Sequence, residues 1–343
     1  MAKTQQRMGA CLTFCVVLMV NWAGGSSWAG VQTGTPQLSQ SAAAIEPDFM
    51  LDLWPGEVPG ALERLPHETM VQRDNPFGLV DRAVHNVSRP NLSVFTPKRP
   101  NGAAILIIPG GGYSWVVVDK EGYEGGKHFS EAGFQVYVLR YRLPHQGWAA
   151  GPDTPLQDAQ RAMRIIRARA SQDRIDPTKI MVMGFSAGGH VAGSLALKFD
   201  QATQRPVDDI DKLSAKPDLA VLMYPVVTMT APFAHPKSRD NLIGIAPTPE
   251  AIAAYSLEQN VRPDAPPLFI LHASDDRAVP VDNALMLAQA ARAQAVPTSL
   301  HVFETGGHGI GLRGIAGTPL AVWPMLVLDW AAAHGFPAVA SQR

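Results

Sequence analysis

Continuous apolar runs of four to six residues recur along the chain from residue 103 onward, separated by amphipathic stretches. Runs of this kind are typical of strands buried on both faces. Their alternation with helices predicts a mostly parallel central sheet with helices on both faces, in which sites lie at the carboxyl ends of the strands. The runs lie at 103–108, 134–139, 179–183, 219–224, 268–272 and 300–303, and the helical stretches at about 155–170, 187–199, 281–295 and 318–334.

Two other regions show different patterns. Residues 80–87 and 91–95 alternate between apolar and polar positions on either side of a Ser-Arg-Pro turn, which predicts two half-buried antiparallel strands. Residues 226–262 are irregular, rich in proline, and interrupt the alternation. They predict a cap or lid insertion, with an ordinary long surface connection as the alternative.

Composition and charge exclude some classes of partner. Hydrophobic residues make up 46% of the 343 residues and charged residues 17%, and the formal net charge is -1. The chain therefore offers no strongly basic surface for nucleic acid and no acidic tail. The balance fits a small or neutral ligand.

The first 46 residues predict an export signal followed by a tail. Two basic residues, an apolar run over 8–20 and small residues ending at Ala29 predict a secretory signal peptide over residues 1–29. The run is too short for a comfortable membrane span, so we expect a secreted or periplasmic protein with no membrane anchor after signal removal. Both cysteines, Cys11 and Cys15, lie in the signal. Residues 30–46 predict a disordered tail, and 47–343 one α/β domain.

A Gly-x-Ser-x-Gly motif over 184–188 stands between a predicted strand and a predicted helix. In this context the two glycines allow the sharp turn that presents Ser186 for nucleophilic attack, as in the α/β-hydrolase fold. A serine hydroxyl needs a histidine to take its proton, and this fold places the acid and then the histidine further along the chain. His308, in a Gly-Gly-His-Gly loop after the last predicted strand, is the candidate base. His190 follows Ser186 by one helical turn, and we expect it to pack inside the fold.

The acid is expected after the strand 268–272, where Asp275 and Asp276 are neighbours. One of them would orient His308, and the other would cap the loop or the helix that starts near Val281. We favour Asp276 as the acid and keep Asp275 as the alternative.

A triple glycine at 110–112 follows the first buried strand, where an oxyanion hole is expected. Gly111 and Gly112 are the candidate N–H donors, with Ala187 completing the hole. Downstream of them, Trp115, Asp119 and Glu121 either line the site or lie exposed at the surface. The sequence has no phosphate-binding or dinucleotide-binding glycine motif and no His/Glu spacing typical of a metal site, so we expect no cofactor and no metal.

Together these motifs resemble secreted α/β-hydrolases of the acetyl xylan esterase type, over most of the mature chain that would follow the signal peptide. The resemblance rests on Leu53-Trp-Pro-Gly56, Pro109-Gly-Gly-Gly-Tyr113, Val138-Leu-Arg-Tyr-Arg-Leu143, Gly184-Phe-Ser-Ala-Gly-Gly-His190, Asp275-Asp276 with Val279-Pro280, and Gly306-Gly-His-Gly309. One departure is Pro109, which replaces the histidine that opens the glycine motif in the wider esterase group and braces its loop.

The resemblance implies that 47–343 is the catalytic domain of a carboxylic ester hydrolase with the triad Ser186, Asp276 and His308. The expected reaction removes short acyl groups, acetyl above all, from small-molecule or polysaccharide esters such as acetylated xylan, through an acyl-enzyme. A general short-chain carboxylesterase or an amidase or peptidase is the alternative, since the same triad serves all of them. A catalytically silent binding protein on the same scaffold is the third hypothesis.

Overall fold

The computed structural model describes residues 43–64 and 67–338, so the predicted signal peptide 1–29 and most of the predicted tail 30–46 lie outside the described residues. The strands are β1 Phe49–Asp52, β2 Thr69–Gln72, β3 Arg82–His85, β4 Asn91–Phe95, β5 Ala104–Ile108, β6 Val116–Val117, β7 Gln135–Arg140, β8 Ile180–Phe185, β9 Leu219–Met223, β10 Leu268–Ala273 and β11 Thr298–Phe303. The helices are α1 Glu124–Glu131, α2 Thr154–Ala168, α3 Ala187–Leu197, α4 Pro236–Ile243, α5 Pro249–Tyr255, α6 Asp282–Ala293 and α7 Trp323–Ala333.

Eight strands form the central sheet, in the order β1-β4-β7-β5-β8-β9-β10-β11. Every pair from β7 to β11 is parallel, and only β4 pairs antiparallel, with β1 and with β7. The inner strands β5, β8, β9 and β10 are buried at every position, as the continuous apolar runs predict. The predicted mostly parallel α/β sheet is therefore confirmed.

The predicted antiparallel pair over 80–95 is wrong. β3 belongs to a second sheet with the order β2-β3-β6, whereas β4 lies in the central sheet and is buried at all five positions. The alternating pattern of β4 misled because its polar residues, Asn91 and Ser93, are buried and not exposed. Ser93, for example, lies 3.0 Å from the Tyr123 hydroxyl within hydrogen-bond distance. A polar position in a strand indicates an exposed face only when no buried partner satisfies it.

The described residues 43–46 lie inside the stretch 30–46 that was predicted as a disordered tail. Residues 43–46 are described, and Arg82 donates hydrogen bonds to the Ile45 carbonyl and to the Glu46 carboxylate. Residues 226–262, predicted as an insertion, contain the short helices α4 and α5. Across the described part of the chain, no helix combines the length and the apolar character that crossing a bilayer requires.

Candidate active site

The turn between β8 and α3 holds Ser186 in an unusual backbone conformation, with φ 53° and ψ -120°. A Cβ atom on Gly188 would lie 2.1 Å from the Ile108 carbonyl oxygen, and one on Gly184 would lie 2.3 Å from the Gly188 carbonyl oxygen. Only glycine fits at either position, which is the physical reason for the Gly-x-Ser-x-Gly pattern. Strain of this kind is typical of functional turns.

The structure brings Ser186, His308 and Asp276 together in one hydrogen-bonded line. The Ser186 Oγ lies 2.8 Å from His308 Nε2, and His308 Nδ1 lies 2.7 Å from Asp276 Oδ2. Because a carboxylate only accepts, Nδ1 carries the proton and Nε2 is the acceptor for the serine hydroxyl. This arrangement can transfer a proton from Ser186 to His308.

Asp276 is held as an ionised carboxylate. Its Oδ1 accepts the backbone N–H groups of Ala278 and Val279, each at 2.9 Å. His272, buried in β10, has Nε2 3.3 Å from Asp276 Oδ2. Burial on its own would raise the pKa of Asp276, but the neighbouring His272 and His308 and the backbone donors hold the pKa well below its usual value.

Asp275 has a different partner. Its Oδ1 accepts the backbone N–H of Gly307 at 2.7 Å and so fastens the loop that carries His308. Of the two candidate acids, Asp276 contacts the imidazole of His308, and Asp275 contacts the backbone next to it.

The triple-glycine loop lies against Ser186, since a Cβ atom on Gly110 would come within 2.9 Å of the serine Cβ. Gly110 donates its N–H to Glu121 at 2.9 Å, whereas the N–H groups of Gly111 and Gly112 have no acceptor among the described residues. Ala187 is the first residue of α3, where an N–H has no acceptor within the helix. These three N–H groups, two in the loop whose first glycine touches Ser186 and one in the residue that follows Ser186, are the candidate donors.

Two buried side chains brace this loop, which has Pro109 where the wider esterase group has a histidine. The Tyr141 hydroxyl donates to the Pro109 carbonyl at 3.0 Å. Glu121 accepts both the Gly110 N–H and the Tyr224 hydroxyl, and that hydroxyl accepts the Gly311 N–H at 3.1 Å. Glu121 and Tyr224 thus connect the glycine loop to the loop that follows His308.

Trp115, Asp119 and Glu121 follow the glycines, and exposure at the surface was one of the two placements predicted for them. None of the three is exposed. Glu121 is only 4% exposed, and Asp119 is buried in an ion pair with Arg82. Trp115 is half-buried and lies next to Gly111. Sequence reasoning missed the role of Glu121 because the partner that explains its burial, Tyr224, lies a hundred residues away.

His190 packs inside the fold, in keeping with the expectation for it. Its Nδ1 accepts from the Tyr113 hydroxyl at 2.7 Å, and its Nε2 donates to the Tyr255 carbonyl at 2.7 Å. Complete burial lowers the pKa of His190 to about 4, so the ring is neutral near pH 7. It connects the glycine loop to α5 and takes no part in the line of hydrogen bonds at Ser186.

Residues 226–262 also contact the glycine loop, through helix α4. The Asn241 side chain donates to the Gly112 carbonyl and to the Ser114 hydroxyl, each at 2.8 Å. The Cε1 atom of His235, just before α4, would lie 3.8 Å from a Cβ atom on Gly112. Within residues 43–64 and 67–338, no group of three or more His, Cys, Asp or Glu side chains is placed to hold a metal ion.

The chain is similar to proteins described as esterases and as a xylanase. The BD-FAE family model matches residues 92–291. An endo-1,4-beta-xylanase B from Butyrivibrio fibrisolvens is 39% identical over 206 residues, which cover 60% of this chain and 32% of that protein. An acetylxylan esterase from Xylanibacter ruminicola is 35% identical over 222 residues, or 63% of this chain and 43% of that protein. The chain thus spans less than half the length of these two relatives.

A solved structure matches over a greater length. The acetyl ester-xyloside bifunctional hydrolase from Caldicellulosiruptor lactoaceticus aligns with a TM-score of 0.69 and 32% identity, covering 85% of this chain and 98% of that one. A carboxylesterase from Lactobacillus plantarum aligns with a TM-score of 0.62 and 25% identity, covering 75% of this chain and 98% of that one. Since the family model matches more than half of the 343 residues, the protein belongs to the BD-FAE family and has the α/β-hydrolase fold.

Proposed function

We propose that the protein is a serine esterase that removes short acyl groups, acetyl above all, from carbohydrate esters such as acetylated xylan. The observation that carries this proposal is the line of hydrogen bonds from Ser186 through His308 to Asp276. The acetyl xylan assignment is supported by the acetylxylan esterase and the acetyl ester-xyloside hydrolase among the similar proteins.

In the proposed mechanism His308 Nε2 takes the Ser186 proton as Oγ attacks the acyl carbon. The oxyanion of the tetrahedral intermediate accepts from the N–H groups of Gly111, Gly112 and Ala187. The bond to the sugar oxygen then breaks, and His308 returns its proton to that oxygen. Water, deprotonated by His308, cleaves the acyl-enzyme to free acid and restores Ser186. Asp276 stabilises the imidazolium in both halves.

The test is release of acetate from acetylated xylan by the protein and by its Ser186→Ala variant. We expect the substitution to lower kcat by roughly 10⁴-fold or more, because the nucleophile is lost. Ser194→Ala is the matched control, since Ser194 is also buried and lies on α3, the helix that begins directly after Ser186. Full acetate release by Ser186→Ala would refute serine catalysis.

The same assay separates the alternative substrate classes. Cleavage of aryl acetates through Ser186, with no acetate released from xylan, would favour a general short-chain carboxylesterase. That alternative is supported by the similarity to a probable carboxylic ester hydrolase of Mycobacterium tuberculosis, 28% identical over 282 residues. Hydrolysis of aryl amides at a comparable rate would favour an amidase.

We further propose that the enzyme is exported, with residues 1–29 as its signal peptide. The support is the basic, apolar and small-residue order of that segment, and a polymeric substrate outside the cell fits export. Amino-terminal sequencing of protein recovered from the periplasm or medium should read Gly30 first. Intact Met1 in the exported fraction would refute the cleavage.

A further inference from the structure

A cleft of about 390 Å³ lies beside His308. We infer that this cleft binds the sugar part of the ester, with Phe77 as the platform on which a sugar ring stacks; the inference rests on the proposed function. Six of the side chains that line the cleft are those of Arg73, Phe77, Asp81, Lys120, His308 and Arg313.

The position of the cleft assigns it to the leaving group. His308 donates its proton to the leaving oxygen, so the alcohol part of the ester lies beside the imidazole. Among the described residues, His308 and its neighbours Gly306 and Gly309 line this cleft, whereas Ser186 and the glycines at 110–112 do not. The acyl group, by contrast, must point its carbonyl oxygen at the glycine loop and Ala187.

The walls of the cleft come from two loops outside the central sheet. One wall belongs to residues 73–81, between β2 and β3, and the other to residues 305–320 after β11. The strand β3 pairs with β6, which directly follows Trp115 and the glycine loop, so the small sheet is fixed to the site. Both loops lie outside residues 92–291, the part that the family model matches. We therefore expect them to set specificity for the alcohol.

Phe77 presents an aromatic ring to this space. Its side chain is 51% exposed although it is large and apolar, and a Cβ atom on Gly314 would come 2.7 Å from its Cζ, so the ring rests on the opposite wall. The negative face of an aromatic ring attracts polarised C–H groups, which one face of a pyranose ring presents. An exposed ring beside the base thus fits a sugar.

The remaining lining can hydrogen-bond to hydroxyl groups. Arg73 and Lys120 are half-buried and contribute donors, whereas Asp81 and Arg313 are buried. Three buried atoms here, Arg73 Nη1, Asp81 Oδ1 and Arg313 Nη1, have no hydrogen-bond partner in the described part of the protein. Asp81 Oδ2 lies 3.6 Å from each Nη1. The charges are therefore paired, but these atoms lack hydrogen bonds, and buried atoms of this kind are normally satisfied by ordered water or by a ligand.

The experiment compares two esters that share an acetyl group and differ in the alcohol. One is an acetylated xylo-oligosaccharide, and the other is ethyl acetate, whose alcohol has no ring to stack on Phe77. For Phe77→Ala we expect kcat/KM to fall about 10-fold on the oligosaccharide, mainly through KM, and to change less than about twofold on ethyl acetate. Phe77→Trp keeps an aromatic ring and should retain the kcat/KM of the unsubstituted protein on the oligosaccharide. Leu285 is also apolar and exposed but lies on α6, so Leu285→Ala should leave kcat/KM on both esters unchanged.

Three outcomes would overturn the inference. An unchanged kcat/KM of Phe77→Ala on the oligosaccharide would mean that the ring does not bind sugar. An equal loss on both esters, not recovered in Phe77→Trp, would assign Phe77 a structural role. If the unsubstituted protein cleaves ethyl acetate but not the oligosaccharide, the carbohydrate assignment itself fails, and the inference fails with it.

Discussion

At the scale of single residues, two adjacent aspartates provide a sharp test of the site. Asp276 contacts the imidazole of His308, whereas Asp275 contacts only the backbone of the same loop. We expect Asp276→Asn to lower kcat on an aryl acetate by roughly 10⁴-fold, because an amide at this position disfavours the required tautomer of His308. Asp275→Asn, its matched control, should lose less than about tenfold. Equal losses, or a larger loss in Asp275→Asn, would contradict the assignment.

The same pair shows how far local sequence predicts a site. Ser186 and His308 each lie in a recognisable local motif, a glycine-flanked turn and a glycine-rich loop. The order of these motifs along the chain predicts their contact, which the structure shows at 2.8 Å. Asp275 and Asp276 share a context, and only the direction of each side chain in three dimensions separates them. The contact of Glu121 with Tyr224 depends on the packing of two distant segments, which a local pattern does not encode.

At the scale of elements, α3 carries a histidine that makes the fold sensitive to acid. The pKa of buried His190 is about 4, below the ordinary 6.5, because burial disfavours the charged ring. Between these two values the unfolded chain binds a proton that the folded chain does not. The stabilisation that comes from keeping this ring neutral is therefore fully present above pH 6.5. As the pH drops toward 4, the free energy of unfolding decreases, by up to roughly 3 kcal/mol from this group.

Urea unfolding at pH 7 and pH 4.5 measures this contribution. His190→Gln cannot titrate, so its free energy of unfolding should decrease less between the two pH values than that of the unsubstituted protein. The comparison is between the two decreases and not between absolute stabilities, since the variant also loses a hydrogen bond to Tyr113 or Tyr255. Identical decreases would show that His190 is not the titrating group.

Helix α4 makes residues 226–262 a support for the glycine loop, through Asn241 and the Gly112 carbonyl. Fixing that carbonyl fixes the peptide plane next to the proposed oxyanion donors. We expect Asn241→Ala to lower kcat about 10-fold with little change in KM, because misaligned donors weaken transition-state binding. Asn260→Ala removes hydrogen bonds to carbonyls within the same segment and serves as the control. Equal effects of the two substitutions would mean a general loosening of the segment.

The elements also show where pattern reading fails. Strands β5, β8, β9 and β10 are predicted well because each is a continuous apolar run, and such a run is stable only when both faces of the strand are buried. In contrast, β3 and β4 both alternate and lie close in sequence, yet they belong to different sheets. Pairing partners depend on long-range packing, and alternation reports only how each face is solvated.

At the scale of the whole molecule, stability rests on the core around the central sheet, since the two cysteines, Cys11 and Cys15, both precede the proposed cleavage after Ala29. Export to an oxidising compartment would then add no disulfide. We expect the thermal midpoint of the exported protein to agree within about 1 °C with and without dithiothreitol, because no bond worth about 2–4 kcal/mol is there to reduce. An unprocessed chain with Cys11→Ser and Cys15→Ser is the control. A midpoint several degrees lower in reductant, abolished by these two substitutions, would show that the signal segment is retained and cross-linked.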